Sequence, residues 1–293
     1  MAKDIQPIVV GVLALQGAFS EHIQLLRQAA KSLSALDPID LHWTFSEVRT
    51  LAQLLQCDAL IIPGGESTAI SLVAARSNLL EPLREFVKVR RNPTWGTCAG
   101  LILLAEAANR TKRGGQELIG GLDVRVDRNH FGRQVESFVI DLDLPFLPLS
   151  GREDIGGGRR PFKAVFIRAP IVEKILPIRE GPQVEEETLD ETIIAPSRAP
   201  EGAVAKEAVG RPVEIMAILP GRVAALPNKP TTTRPEGGSS DIIAVRQGNV
   251  FGTSFHPELT GDSRIHVWWL GEVRKAIANR RQLDGVHTHE RLP

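Results

Sequence analysis

Cys98 lies in Gly96-Thr97-Cys98-Ala99-Gly100, after a short strand and before an apolar helix. A side chain on so sharp a strand-to-helix turn is pushed out of the sheet. A glycine two residues to either side lets neighbouring backbone approach, as in the Gly-x-Ser-x-Gly elbow of hydrolases. The turn also sets the sulfur at a helix N-terminus, where the dipole favours negative charge. That is the setting of a sulfur nucleophile. A nucleophile needs a base, and the base needs a group to orient it. Among seven histidines, His256 stands out in Ser254-Phe255-His256-Pro257-Glu258. Residues two apart on an extended chain face the same side, so His256 and Glu258 project together. Pro257 cannot donate to a ladder and marks the exit from the sheet. A third stretch, Ile61-Ile62-Pro63-Gly64-Gly65-Glu66-Ser67-Thr68, ends an apolar run in two glycines. Acyl transfer passes through a tetrahedral oxyanion that needs fixed N–H donors. The N–H of Gly65 and that of Ala99, just after the nucleophile, are the candidates. Glu66 and Ser67 add groups able to hold an amino acid. Each motif alone has a plain reading: a buried structural cysteine, a surface turn, an ordinary glycine turn. Together they favour chemistry.

These groups act only if the chain brings them to one place. Ile8 to Leu15 reads as a continuous apolar strand of a sheet covered on both faces. Glu21 to Lys31 reads as an amphipathic helix with Ser20 as N-cap. Leu41 to Phe45 is a second strand, Ser46 caps a helix to Gln56, and Ala59 to Ile62 is a third strand. A helix follows Ser67, and Glu81 to Arg90 is helical with Pro82 tolerated in its first turn. Repeated β–α units imply a doubly wound, mostly parallel sheet with right-handed crossovers. Ligands of such sheets collect at the carboxyl ends of strands, where Cys98 and His256 both fall. Beyond Leu122 the pattern changes to short strands: Val124–Val126, Ser137–Ile140, Ala164–Ile167, Ile242–Val245 and Val250–Phe255. These read as added antiparallel strands, followed by a terminal helix from about Asp262 to Arg280.

Gly-Thr-Cys-Ala-Gly, Pro-Gly-Gly-Glu-Ser and His-Pro-Glu, in this order, resemble a class I (triad) glutamine amidotransferase, whose sheet is flavodoxin-like. Further segments narrow the resemblance. Leu15-Gln16-Gly17-Ala18-Phe19-Ser20-Glu21-His22, Asp127-Arg128-Asn129-His130-Phe131-Gly132-Arg133-Gln134, Phe166-Ile167-Arg168-Ala169-Pro170 and Ser254 to Thr260 are similar to the glutaminase subunit of pyridoxal 5′-phosphate synthase (the PdxT/SNO family). The similarity runs in segments from about Ile8 to about Leu270. It implies a Cys98–His256–Glu258 triad that hydrolyses L-glutamine. It implies glutamine binding by Gly65, Glu66, Ser67, Arg128, Ile167 and Arg168. An arginine fork suits the α-carboxylate of free glutamine. Without the resemblance, Arg128 reads as a solvated surface charge. The resemblance also implies a hetero-oligomer with a synthase subunit, which builds pyridoxal 5′-phosphate from a pentose phosphate and glyceraldehyde 3-phosphate. Pyridoxal phosphate is then a product of the complex, and this chain carries no cofactor. Gln16 and Gly17 fall where the family meets the synthase and are the expected partner sensor. Two other readings are a glutaminase serving a different synthase, and a catalytically silent interaction subunit. The Gln16-Gly17 and Arg128-Asn129 segments oppose the first, and the intact triad opposes the second.

Composition points to an ordinary enzyme. The chain of 293 residues carries 35 basic and 35 acidic side chains, so no net charge draws it to nucleic acid or an anionic membrane. No apolar run approaches the roughly 20 residues that span a bilayer, and the start does not read as a signal peptide. Two cysteines make no disulfide framework, and no Cys/His cluster has metal-ligand spacing. Cys57 reads as a small buried residue. A reactive thiol suits a reducing compartment, so the cytosol is expected. The whole of 1–293 reads as one domain with loop insertions at about 109–117, 147–161 and 179–241. Residues 177–240 hold 9 of the 20 prolines, which disfavours a continuous helix or central strand there. The acidic Glu185-Glu186-Glu187 and the polar stretch from Pro230 read as exposed loop. Residues 183–208 are accordingly expected to be replaceable by a short linker, with Val213–Leu219 returning to the sheet.

Overall fold

The computed structural model describes residues 7–36, 42–109, 116–128, 137–147, 160–178, 183, 186, 192–219 and 241–289, with side chains of the final helix as far as 282. The first half alternates strand and helix: β1 (Ile8–Leu13), α1 (Phe19–Leu36), β2 (Trp43–Val48), α2 (Leu51–Leu54), β3 (Ala59–Ile62), α3 (Ser67–Arg76), α4 (Leu80–Arg84), β4 (Thr94–Thr97) and α5 (Ala99–Leu104). Then come β5 (Ala105–Asn109), β6 (Leu122–Asp127), β7 (Ser137–Leu142), β8 (Phe162–Ile167), β9 (Ile171–Ile175) and β10 (Thr192–Ile194). The remainder is α6 (Gly202–Gly210), β11 (Glu214–Leu219), β12 (Asp241–Gln247), β13 (Val250–Thr253), a single 3-10 turn (Pro257–Leu259) and α7 (Arg264–His289).

Among the described residues, eleven strands share one sheet in the order β10-β5-β6-β9-β12-β13-β4-β3-β1-β2, with β11 alongside β12. The stretch β13-β4-β3-β1-β2 is wholly parallel. Antiparallel strands extend it on the β12 side, and β7 and β8 form a separate antiparallel pair. This is the doubly wound α/β sheet with antiparallel additions that the sequence implies. Every residue of β3, β4 and β13 is buried, as expected where both faces are covered. Alternate β3 side chains enter different cores. Leu60 and Ile62 join Leu83, Leu101 and Leu103 on one face, while Ala59 and Ile61 join Ile23, Leu26 and Trp269 on the other. Each fully buried leucine or isoleucine contributes about 1.5–3 kcal/mol.

Register matters most for the site. Gly96 of β4 stands level with Ile62 of β3 and with Gly252 of β13, and Thr97 is level with Thr253. The chain therefore leaves these three strands side by side, into Pro63-Gly64-Gly65, into Cys98, and into Ser254-Phe255-His256.

Several boundaries differ from expectation for local reasons. Helix α1 is longer, and Ser20 lies inside it instead of capping it. Ser46 belongs to β2, opposite Gly11, because aromatic and β-branched residues carry that strand along β1 as far as Val48. The helix cap is Thr50, whose hydroxyl accepts the Gln53 N–H while the Gln53 carboxamide accepts the Thr50 N–H. The helix at Glu81 starts at Leu80 and ends in a π turn, Glu85–Val89. The largest correction concerns 179–241. Its described parts include β10, α6 and β11, and β11 coincides closely with the expected return to the sheet. Ile193 and Ala195 pack into the first core, Ala205 and Ala208 are buried, and the Ala195 N–H donates to the Glu106 carbonyl at 2.9 Å. Glu186 is also buried, paired with Arg125 and Lys174. Within 183–208, the described residues Glu186, Ile193, Ala195, Ala205 and Ala208 are thus packed against the rest of the fold, which opposes the expectation of a freely replaceable linker. Gly156-Gly157-Gly158 and the polar stretch from Pro230 lie outside the described residues, as does most of the 109–117 and 147–161 insertions.

Candidate active site

Strand β4 stops at Thr97 and α5 begins at Ala99, leaving Cys98 one residue in which to turn. It does so at φ 49° and ψ −101°. That region costs a residue other than glycine on the order of 1–3 kcal/mol, which the surroundings must enforce. The Cys98 N–H donates to the Thr253 carbonyl at 2.8 Å, tying the elbow to β13. A Cβ at Gly100 would collide with the Ile62 carbonyl, and one at Gly96 with the backbone of Gly100. Both glycines are therefore needed for α5 to sit this close to β3 and β4.

The backbone of His256 is fixed from β8, its N–H donating to the Val165 carbonyl at 2.8 Å. Its imidazole interacts with Cys98, and its Nδ1 lies 2.7 Å from Glu258 Oε1. Burial disfavours the imidazolium, but Cys98 and Glu258 outweigh it and raise the pKa to about 10. Glu258 is also buried. Burial works against its charge, yet His22 and His256 overcome this and hold its carboxyl below the ordinary range. The structure thus brings Cys98, His256 and Glu258 together as the sequence suggested.

Glu66, Ser67 and Arg128 meet beside this group. Glu66 caps α3, accepting the N–H groups of Thr68 at 3.0 Å and Ala69 at 2.7 Å. Burial opposes its charge, but these bonds and Arg128 keep its pKa below normal. Arg128 follows β6. Its Nη2 donates to Ser67 Oγ at 2.9 Å and Thr68 Oγ1 at 3.2 Å, and lies 4.0 Å from Glu66 Oε1. With its side chain only 8% exposed, Arg128 is no solvated surface charge. Burial lowers its pKa. Ile167 contributes main chain: its carbonyl is 3.9 Å from Cys98 Sγ, which donates to it, while its side chain is exposed. Arg168 is exposed and adopts φ 44°. Asn129 to Gln134 lie outside the described residues.

Gln16 and Gly17 rest directly on the glycine loop. Gln16 Oε1 accepts the Glu66 N–H at 2.8 Å, and a Cβ at Gly65 would strike it. A Cβ at Gly17, which has φ 95°, would collide with the Gly64 carbonyl. The Gly64 N–H in turn donates to Thr97 Oγ1 at 2.9 Å. Cys57 behaves as a structural thiol: it donates to the Gln53 carbonyl at 3.2 Å, and burial pushes its pKa up to about 11. Sequence reasoning assigned no role to Thr97, His22 or His266, which lie buried behind the triad. The available signal was His22 on the inward face of an amphipathic helix.

The sequence profile of the SNO glutamine amidotransferase family matches residues 12–199. The chain is 40% identical over 263 residues to a probable pyridoxal 5′-phosphate synthase subunit of Arabidopsis thaliana, covering 90% of this chain and 85% of that one. It is 37% identical over 264 residues to the pyridoxal 5′-phosphate synthase subunit PdxT of Herpetosiphon aurantiacus, covering 90% of this chain and 100% of that one. A crystal structure of a glutamine amidotransferase aligns with a TM-score of 0.55 at 32% identity, over 90% of this chain and 98% of the other. The chain belongs to the SNO glutamine amidotransferase family.

Proposed function

We propose that this chain is the glutaminase subunit of a pyridoxal 5′-phosphate synthase, releasing ammonia from L-glutamine for a separate synthase subunit. The observation that carries the reading is the sharply turned Cys98 elbow, interacting with a His256 whose Nδ1 is held by Glu258 at 2.7 Å. In this reading His256 takes the Cys98 thiol proton as the sulfur attacks the side-chain amide carbon of glutamine. The N–H groups of Gly65 and Ala99 hold the oxyanion, the latter being a first-turn helix donor with no intrahelical acceptor. As the C–N bond breaks, His256 gives its proton to the departing ammonia, leaving a γ-glutamyl thioester. Water attacks the thioester, losing a proton to His256. The C–S bond then breaks, glutamate leaves, and the His256 proton returns to the sulfur to restore the thiol. Arg128 suits the substrate α-carboxylate and Glu66 its ammonium, with Ser67, Ile167 and Arg168 completing the binding set.

This chemistry uses a thiol, an imidazole and water, so the chain needs no metal or cofactor of its own. Among the described residues no helix is long and apolar enough to cross a membrane. A thiol-dependent enzyme suits the reducing cytoplasm. The contacts of Gln16 and Gly17 with Gly64 and Gly65 support gating by the partner within a hetero-oligomer. Binding there can turn the Gly65 donor toward the oxyanion. The test is ammonia release from L-glutamine with and without the synthase subunit. Turnover is expected to rise by roughly a hundredfold with the partner, the value of one oxyanion donor. Cys98→Ala is expected to abolish turnover while staying folded, and a glutamine-like electrophile should label Cys98 and not Cys57. Silence of the wild-type chain with a bound synthase would instead favour an interaction subunit without catalysis.

A further inference from the structure

His22 sits near the start of α1 and takes no part in the triad, yet it is completely buried behind it. Its Nε2 lies 3.3 Å from Glu258 Oε2 and 3.3 Å from Thr97 Oγ1. Its Nδ1 lies 3.0 Å from Nε2 of His266 on α7, which is equally buried. Trp95 packs edge-on against both rings, at centroid distances of 5.6 and 4.9 Å, and closes the cluster. Glu258 uses Oε1 for His256, and no aligned hydrogen-bond donor reaches Oε2 among the described residues. A buried carboxylate oxygen without a donor is costly. The imidazole at 3.3 Å is the group placed to serve it.

The tautomers then follow. With the proton on Nε2 of His22, its Nδ1 is an acceptor, so Nε2 of His266 donates to it. That leaves His266 Nδ1 as a bare lone pair, and it is the ring nitrogen that has no partner. Burial favours the uncharged form of both rings. It lowers the pKa of each, and in His22 burial, with His256, outweighs the attraction of Glu258 and Glu21. Thr97 adds a second link, because its hydroxyl oxygen also accepts the Gly64 N–H at 2.9 Å. One imidazole thus touches the triad carboxylate and the anchor of the glycine loop, on the helix that follows Gln16-Gly17.

We propose that His22, backed by His266, is a positioning residue that clamps the free oxygen of Glu258 and joins it through Thr97 to the Gly64–Gly65 loop. The inference rests on the triad reading above. The test uses the full chain in complex with its synthase subunit and follows kcat, KM and the pH profile of glutamine hydrolysis. His22→Leu should lower kcat by about 10–100-fold, as loss of an orienting partner does elsewhere, with KM within about twofold. Its alkaline limb of kcat/KM should move to lower pH, because a loosened Glu258 no longer sustains the raised His256 pKa. His22→Gln, whose amide N–H reaches the Nε2 position, should recover most of both effects. His266→Leu should give a smaller loss in the same direction. Wild-type kcat and an unmoved limb in His22→Leu would overturn the clamp, as would a loss that tracks thermal unfolding and leaves the limb in place. If His22→Leu does not fold, the comparison of His22→Gln with His22→Asn decides: the shorter amide should lose rate and shift the limb, and equal behaviour refutes the proposal. Cys98→Ala separates the two readings. Activity in that variant removes the triad itself, whereas an inactive Cys98→Ala beside unaltered His22 variants removes only the clamp.

Discussion

At the carboxyl ends of β3, β4 and β13, glycines stand where any side chain would collide: Gly64 against the His256 ring, Gly96 against Gly100, Gly100 against Ile62. On the opposite flank, around β5, β6 and the insertion, buried charges meet instead. Lys88 Nζ lies 2.8 Å from Glu106 Oε1 and donates to the Pro196 carbonyl at 2.7 Å. Glu106 also accepts the Gly121 N–H at 2.7 Å, and Arg125 holds Glu186 at 2.9 Å. The first region is built by excluding volume, so adding an atom breaks it. The second is built by pairing charges in low dielectric, so removing one partner breaks it.

The largest test of this contrast is subtraction on the charged flank. Lys88→Met leaves Glu106 buried and unpaired, where burial already pushes its carboxyl up. Unfolding free energy should fall by about 3–5 kcal/mol in denaturant melts. Adding Glu106→Leu should restore most of it, and turnover per folded molecule should hardly change. A stable single variant would show that the insertion is joined elsewhere.

Addition at the glycine edge comes next. Gly64→Ala places a methyl group in the space of the His256 ring. A misplacement of about 1 Å at a reacting group costs roughly a hundredfold in rate. Glutamine turnover should fall by that order with little change in melting temperature, the reverse of Lys88→Met. Equal loss of both quantities would merge the two regions into one.

The smallest effect sharpens the boundary between them. Gln16→Ala removes the acceptor for the Glu66 N–H, worth about 1 kcal/mol or roughly fivefold. Assayed with and without the synthase subunit, it should lower the partner-dependent turnover more than the basal turnover. An equal drop in both would make Gln16 a packing residue only.

The same contrast explains what the sequence made legible. Cys98, Gly65 and His256 announce themselves because each lies just past an apolar strand, and parallel register aligns strand ends without further instruction. The parallel strands β1 and β3 were legible for the same reason. The flank was not. Lys88, Glu106 and Pro196 are neighbours only after folding, and each alone reads as an ordinary surface residue or turn. Proline density in 177–240 excluded long regular elements but said nothing about short ones such as β10 and α6 packing at the edge. Ser46 looked like a cap because its hydroxyl can serve either strand or helix, and pairing with β1 decided the matter. Arg128 needed tertiary context, since nothing near it in the chain shows that Ser67 and Thr68 will enclose its guanidinium.

The main-chain bond from Cys98 to Thr253 sets how the enzyme meets heat. It joins the elbow to the strand that carries His256, in the middle of the sheet and away from its fraying edges. Local opening draws on termini and loops, while central strands let go only with the whole fold. Sulfur and imidazole should therefore keep their separation as temperature rises until the sheet melts. Inactivation and unfolding should trace one curve, because the catalyst has no softer melting point of its own.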